Sequence, residues 1–174
     1  MLRSEHAQPC WHVDNALPGF SGTALSIKQI NIYRCDIEKI CKGGFNPQRG
    51  GEATGKLFGV ASYFAANSSK SDDYTEERSN KLPKCSSRTL VVARVALGEA
   101  FRATQPLQSA TRPPDDDEGV EFDSVWAEKR DAGGCVDHIE VMTYSEAQAL
   151  PVALIDYKHK DICTCAFCRR RPSA

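Results

Sequence analysis

No stretch of this chain approaches the roughly 18 consecutive apolar residues that a membrane-spanning helix requires. Nor do the first residues, MLRSEHAQPCWHVDN, contain the apolar core of a secretory signal. The expectation is an intracellular protein of the cytoplasm or nucleus, with no membrane partner. An excess of one charge is also missing. With 22 Lys and Arg against 23 Asp and Glu, the net charge is −1, which gives no electrostatic reason to expect nucleic-acid binding. Internal repeats are absent, which excludes a solenoid.

What is present suits one globular domain. The 174 residues suffice for a single substantial core, and a 41% hydrophobic, 26% charged composition is ordinary for a folded chain. Eight cysteines without a secretory signal read as reduced thiols, because intracellular reductants keep them so. Cys10, Cys35, Cys41, Cys85 and Cys135 are scattered and read as small core or surface residues. In the tail HKDICTCAFCRRR, His159, Cys163, Cys165 and Cys168 could form a tetrahedral Cys₃His zinc site. One compact cluster is a weaker signal than two separated knuckles, so the expectation is a thiol-rich tail without zinc.

Along the chain, Pro9, Pro18, Gly19 and Gly22 break any periodicity in residues 1–30, leaving loop and one strand within SIKQINIY. An amphipathic helix is predicted over Asp36 to Lys42, with Ile37, Ile40 and Cys41 inward, ended by Gly43-Gly44. Asn46 to Gly55 is a polar, glycine-rich loop holding Arg49. A strand follows over Phe58 to Ala65, then a polar helix over Asn67 to Arg78. The nearly continuous apolar run Thr89 to Leu97 predicts a central strand buried on both faces. Arg102 to Gly119, with its acidic run RPPDDDEG, reads as a mobile, solvated surface loop. Further strands are predicted over Phe122 to Ala127, Ile139 to Tyr144 and Val152 to Tyr157. Many short strands, few helices and no βαβ order argue for an α+β domain.

The stretch KLFGVASYFAANSSKSDDYT, Lys56 to Thr75, carries the chemistry. Ser71 and Tyr74 are three apart, and residues three apart on a helix share a face. Tyr63 sits on the preceding strand. An aromatic ring to stack on, a hydroxyl to donate and backbone near Gly59 suit a flat aromatic amide such as nicotinamide. Further on, period-two alternation puts Glu140, Met142 and Tyr144 on one strand face and Ile139, Val141 and Thr143 on the other.

These residues resemble the poly(ADP-ribose) polymerase (PARP) catalytic domain, a diphtheria-toxin-like ADP-ribosyltransferase. The Lys56 to Thr75 block is similar to the family's Gly-x-Gly-x-Tyr-Phe-Ala…Ser-Lys-Ser-x-x-Tyr segment. DIEKICKGGFNPQRGGEATG is similar to its first helix, Gly-Phe corner and donor loop, TLVVARVALGEAF to its central strand, and DHIEVMTYSEAQALPVALIDY to its closing glutamate strand. The similarity spans roughly residues 34–158 in the family's order.

The resemblance implies a fold of two packed, mainly antiparallel sheets with short flanking helices around an NAD cleft. It divides the chain into a divergent segment 1–30, a catalytic domain 31–158 and a Cys/Arg-rich tail 159–174. It implies NAD as substrate, protein acceptors as partners, and ADP-ribose transfer to protein side chains with release of nicotinamide. Glu140 would be catalytic, stabilising the positive charge that develops on the ribose as its bond to nicotinamide breaks. Tyr74 would stack on the nicotinamide, Ser71 would bond its carboxamide, and Tyr63 would line the wall near the ribose. Gly59 and Arg49 would complete the NAD contacts.

Two departures from the family pattern stand out. The family has a histidine, followed by glycine and a small hydroxyl residue, on a strand before the first helix. Here Ile30 stands at its ungapped place, Ser21-Gly22-Thr23 keeps only the Gly-Thr, and Trp11-His12 lies well upstream. Ala61 replaces the second glycine of Gly-x-Gly, where its methyl group would crowd the cofactor slightly. The expectation is transfer of single ADP-ribose units. The alternative is a catalytically inactive PARP-like domain that binds NAD weakly or serves as a protein-interaction module.

Overall fold

The computed structural model describes residues 23–28, 34–50, 56–73 and 88–158. In chain order these form β1 (Thr23–Lys28), α1 (Arg34–Gly43), β2 (Ser62–Ala65), α2 (Ser68–Asp73), β3 (Arg88–Ala96), β4 (Ala100–Ala103), β5 (Ser124–Ala127), β6 (Glu140–Thr143) and β7 (Ala149–Tyr157). The strands make a ladder in the order β4-β5-β6-β2-β1-β3-β7. Among the described strands only β4 and β5 run parallel. Mixed helices and mainly antiparallel strands make this an α+β domain. The expected two sheets correspond to two halves of one ladder, joined where β1 and β2 share the single pair Ile27↔Ala65. Among the described residues, no helix is long and apolar enough to cross a membrane.

Two hydrophobic clusters hold the halves. The first takes Phe64 of β2, Val141 of β6 and Val91, Ala93 and Val95 of β3, and so draws on both halves. Phe45 caps it, meeting Phe64 edge-to-face with ring centroids 5.1 Å apart. The second cluster lies on the other face of the four-stranded half and contains Phe58, Ala61, Val125, Ala127 and Met142. Strand alternation explains the division: Val141 goes to the first cluster, while Met142 and Tyr144 go to the second.

Helix α1 packs Ile40 against the first cluster, but Cys41, expected to face inward, is exposed. One turn of helix presents a stripe too narrow for both neighbours to be buried. The helix ends as its glycines predict. Gly44 takes φ +77 and donates its N–H to the Ile40 carbonyl at 2.8 Å.

The strand expected from Phe58 begins only at Ser62, because residues 57–60 turn instead. Gly59 has φ +78, and its N–H donates to the Lys56 carbonyl. The Tyr63 hydroxyl donates to the Gly59 carbonyl at 2.7 Å and accepts the Phe58 N–H at 3.1 Å. Tyr144 closes the turn from β6, donating to the Phe58 carbonyl at 2.8 Å. The long loop after β4 docks on the same turn, with Val60 N–H donating to Ala110 O and Leu107 N–H to Leu57 O. Its acidic run is tied locally. Arg112 pairs bidentately with Asp115, and Asp116 accepts the N–H groups of Glu118 and Val120. β3, expected to be central, lies one place from the ladder's edge, and Arg94 and Ala96 are exposed on its outer face. Ala61 is fully buried in the second cluster, so its methyl group fills core rather than crowding a ligand.

Candidate functional site

The described residues of helix α2 are Ser68–Asp73. Its start is set by Asn67, whose side-chain oxygen accepts the Ser69 N–H at 2.9 Å and the Ser69 hydroxyl at 2.7 Å. Its body is held from two sides. Lys70 Nζ lies 3.1 Å from Glu140 Oε1, and both side chains are largely out of solvent. Asp72 Oδ1 lies 2.7 Å from Nη1 of Arg88, at the start of β3, and also accepts the Tyr157 hydroxyl at the end of β7. Positions two apart on a helix are about 200° apart around its axis, so the two ion pairs leave from opposite sides. Ser71, between them, is 2% exposed.

Glu140 opens β6, with Ala65 of β2 opposite it on one side and Ala127 of β5 on the other. Lys70 holds one oxygen of its carboxylate. Tyr63 pairs with Met142, two residues on from Glu140, so the two side chains share a face as diagonal neighbours about 7–8 Å apart. Glu140 and Tyr63 therefore share one face of β2 and β6, and Lys70 ties Glu140 to the helix that carries Ser71.

The other expected residues land differently. The hydroxyl of Tyr63 and both backbone groups of Gly59 are engaged within the 57–63 turn. Arg49 ends the 3-10 turn Pro47–Arg49, is exposed, and belongs to a segment that packs beside Ala61. Tyr74 lies outside the described residues, as do His159, Cys163, Cys165 and Cys168 of the proposed zinc site. Among the described residues, no group of three or more His, Cys, Asp or Glu side chains could hold a metal ion.

The sequence reading missed Lys70, Asp72, Arg88 and Tyr157. Lys70 and Asp72 sit in a run that reads only as a polar helix, and their partners are 16 to 85 residues away. Arg88, at the start of an apolar strand, was the one available signal, since a buried arginine needs an acidic partner.

The family model for the poly(ADP-ribose) polymerase catalytic domain matches residues 35–147. The chain belongs to the PARP family. The match runs from α1 through β6 to the turn before β7, and so takes in Glu140, Tyr63 and the whole of α2. PARP catalytic domains are ADP-ribosyltransferases that use NAD as substrate and modify protein acceptors. Comparison with curated proteins gives no significant match. The PARP match begins after β1, and Thr23–Lys28 contains no histidine.

Proposed function

We propose that this PARP domain transfers ADP-ribose from NAD to protein side chains and releases nicotinamide. The observation that carries the reading is Glu140, held by Lys70 of α2 beside the helix that bears Ser71 and on the same strand face as Tyr63. In this reading, the ribose of NAD lies over that end of β6. Its bond to nicotinamide breaks with the electron pair leaving on the ring nitrogen, and positive charge builds on the sugar. The Glu140 carboxylate, hydrogen-bonded to the ribose hydroxyls, stabilises that charge and orients the incoming nucleophile. Lys70 keeps the carboxylate in one position. Ser71 bonds the carboxamide and Tyr74 stacks on the ring. Tyr63 shapes the wall, and Gly59 serves by allowing the turn that sets Tyr63. Arg49 reaches the far part of an extended dinucleotide.

A second reading, an inactive domain that binds NAD weakly or recruits a protein, is favoured by the strand before α1, which lacks the family's histidine and lies outside the family match. Thermal unfolding with NAD and, separately, with 3-aminobenzamide distinguishes the two. A ligand at 100 times its dissociation constant stabilises by about 2.7 kcal/mol. The transferase reading requires a shift with both ligands. A shift with 3-aminobenzamide alone supports the inactive reading, and no shift with either overturns the nicotinamide site.

A further inference from the structure

We propose that Asp72 is a positioning residue: its buried bridge to Arg88 and Tyr157 sets the seat of α2 and so holds Lys70 on Glu140. The proposal deepens the transferase reading and rests on it for its catalytic consequence. Three parts of the chain converge on one carboxylate. Asp72 comes from α2, Arg88 from the first residue of β3 and Tyr157 from the last residue of β7, and Arg88 and Tyr157 pair directly across the β3–β7 ladder. The anchor is therefore built on the backbone of two paired strands. Arg88 is 3% exposed and Asp72 8%. Burial pushes the Tyr157 phenol above its ordinary value of 10.0, and its bond to Asp72 pushes the same way, so it remains an O–H donor to the carboxylate.

A buried ion pair is often no more stabilising than apolar residues of the same volume, because both charges lose their hydration. What such a pair does supply is a fixed position, since moving either charge breaks a buried contact. With Asp72 anchored on one side of the helix, Lys70 on the opposite side is carried to a set place against Glu140. The two pairs share no atoms, and α2 carries one side chain of each.

The test follows the reactivity of the Lys70 amine in the full chain, by brief acylation and peptide mass mapping. Glu140→Gln serves as the reference for a released lysine and Lys129 as an internal control. The folded Asp72→Asn and Tyr157→Phe variants should both acylate faster at Lys70, toward the Glu140→Gln rate, with Lys129 unchanged. Label transfer from NAD should fall by about 100-fold in Asp72→Asn, the scale of a 1 Å misplacement. In a Lys70→Met background the same substitution should have little further effect. Should Asp72→Asn fail to fold, Tyr157→Phe, which removes a single hydroxyl, decides. Lys70 acylation at the wild-type rate in the folded variants overturns the proposal. Faster acylation with no label transfer even in the wild type leaves Asp72 as the anchor of α2 and overturns the transferase reading instead.

Discussion

Gly44 and Gly59 have nearly the same backbone, φ +77 and +78, but different surroundings. A Cβ added at Gly44 would meet nothing within 4 Å, whereas one at Gly59 would lie 1.8 Å from the Ala110 carbonyl oxygen. Gly44→Ala should therefore show only the conformational penalty, about 1–2 kcal/mol for an L-residue in the left-handed region. Gly59→Ala carries that penalty and must also push the 104–110 loop away. The displacement breaks the Val60–Ala110 bond at 2.9 Å and the Leu107–Leu57 bond at 2.8 Å, each worth about 1 kcal/mol net. Gly59→Ala should thus be less stable than Gly44→Ala by about 2 kcal/mol. Urea unfolding measures both, and an unchanged slope with a shifted midpoint marks a change in stability alone. Equal losses within about 0.5 kcal/mol would refute the docking of that loop on the turn that sets Tyr63.

Lys70→Met should lower stability by about 1–2 kcal/mol, between an exposed ion pair and a fully buried one, measured by urea unfolding. It should lower label transfer from NAD about 100-fold or more, as Glu140 loses its fixed position. Phe64→Ala should be far more severe, about 3–5 kcal/mol, because Phe64 is 1% exposed and meets Phe45 edge-to-face in the cluster shared by both halves. Alkali should also destabilise the fold. Burial raises the Tyr144 and Tyr157 phenols above 10.0, with Tyr63 adding to the first and Asp72 to the second. Their folded values lie above the unfolded one, so their contribution is whole below pH 10 and is lost as pH climbs toward the folded values. Unfolding measured from pH 8 to 11 should show that decline, and Tyr157→Phe should make it shallower.

Much of this molecule was legible from local pattern. Alternation along β6 correctly assigned Met142 and Tyr144 to one cluster and Val141 to the other. Gly43-Gly44 ended α1 as glycines do, and the order of helix and strands followed the residues. The failures were tertiary. The run Phe58 to Val60 has strand-like residues, yet it turns because Tyr63, Tyr144 and the 104–110 loop all bond to its backbone. β4 was not foreseen, since Arg102 and Ala103 were read as loop: Ala100–Ala103 becomes a strand by pairing in parallel with β5, some twenty residues on. Cys41 looked inward by periodicity but belongs to a helix with only a narrow buried stripe. In the candidate site, Glu140 and Tyr63 were named through the family resemblance, and the register of β2 on β6 puts them on one face. The ion pairs that seat α2 could not be found from sequence, since nothing in a linear pattern joins position 72 to positions 88 and 157.

Labelled NAD incubated with the wild-type chain and with Glu140→Gln tests the central claim most directly. That claim is that the carboxylate held by Lys70 stabilises the ribose as nicotinamide departs. The account predicts label on protein and free nicotinamide with the wild type, and loss of both by about 100-fold or more when only the charge of Glu140 is removed. Equal transfer by the two proteins would contradict it.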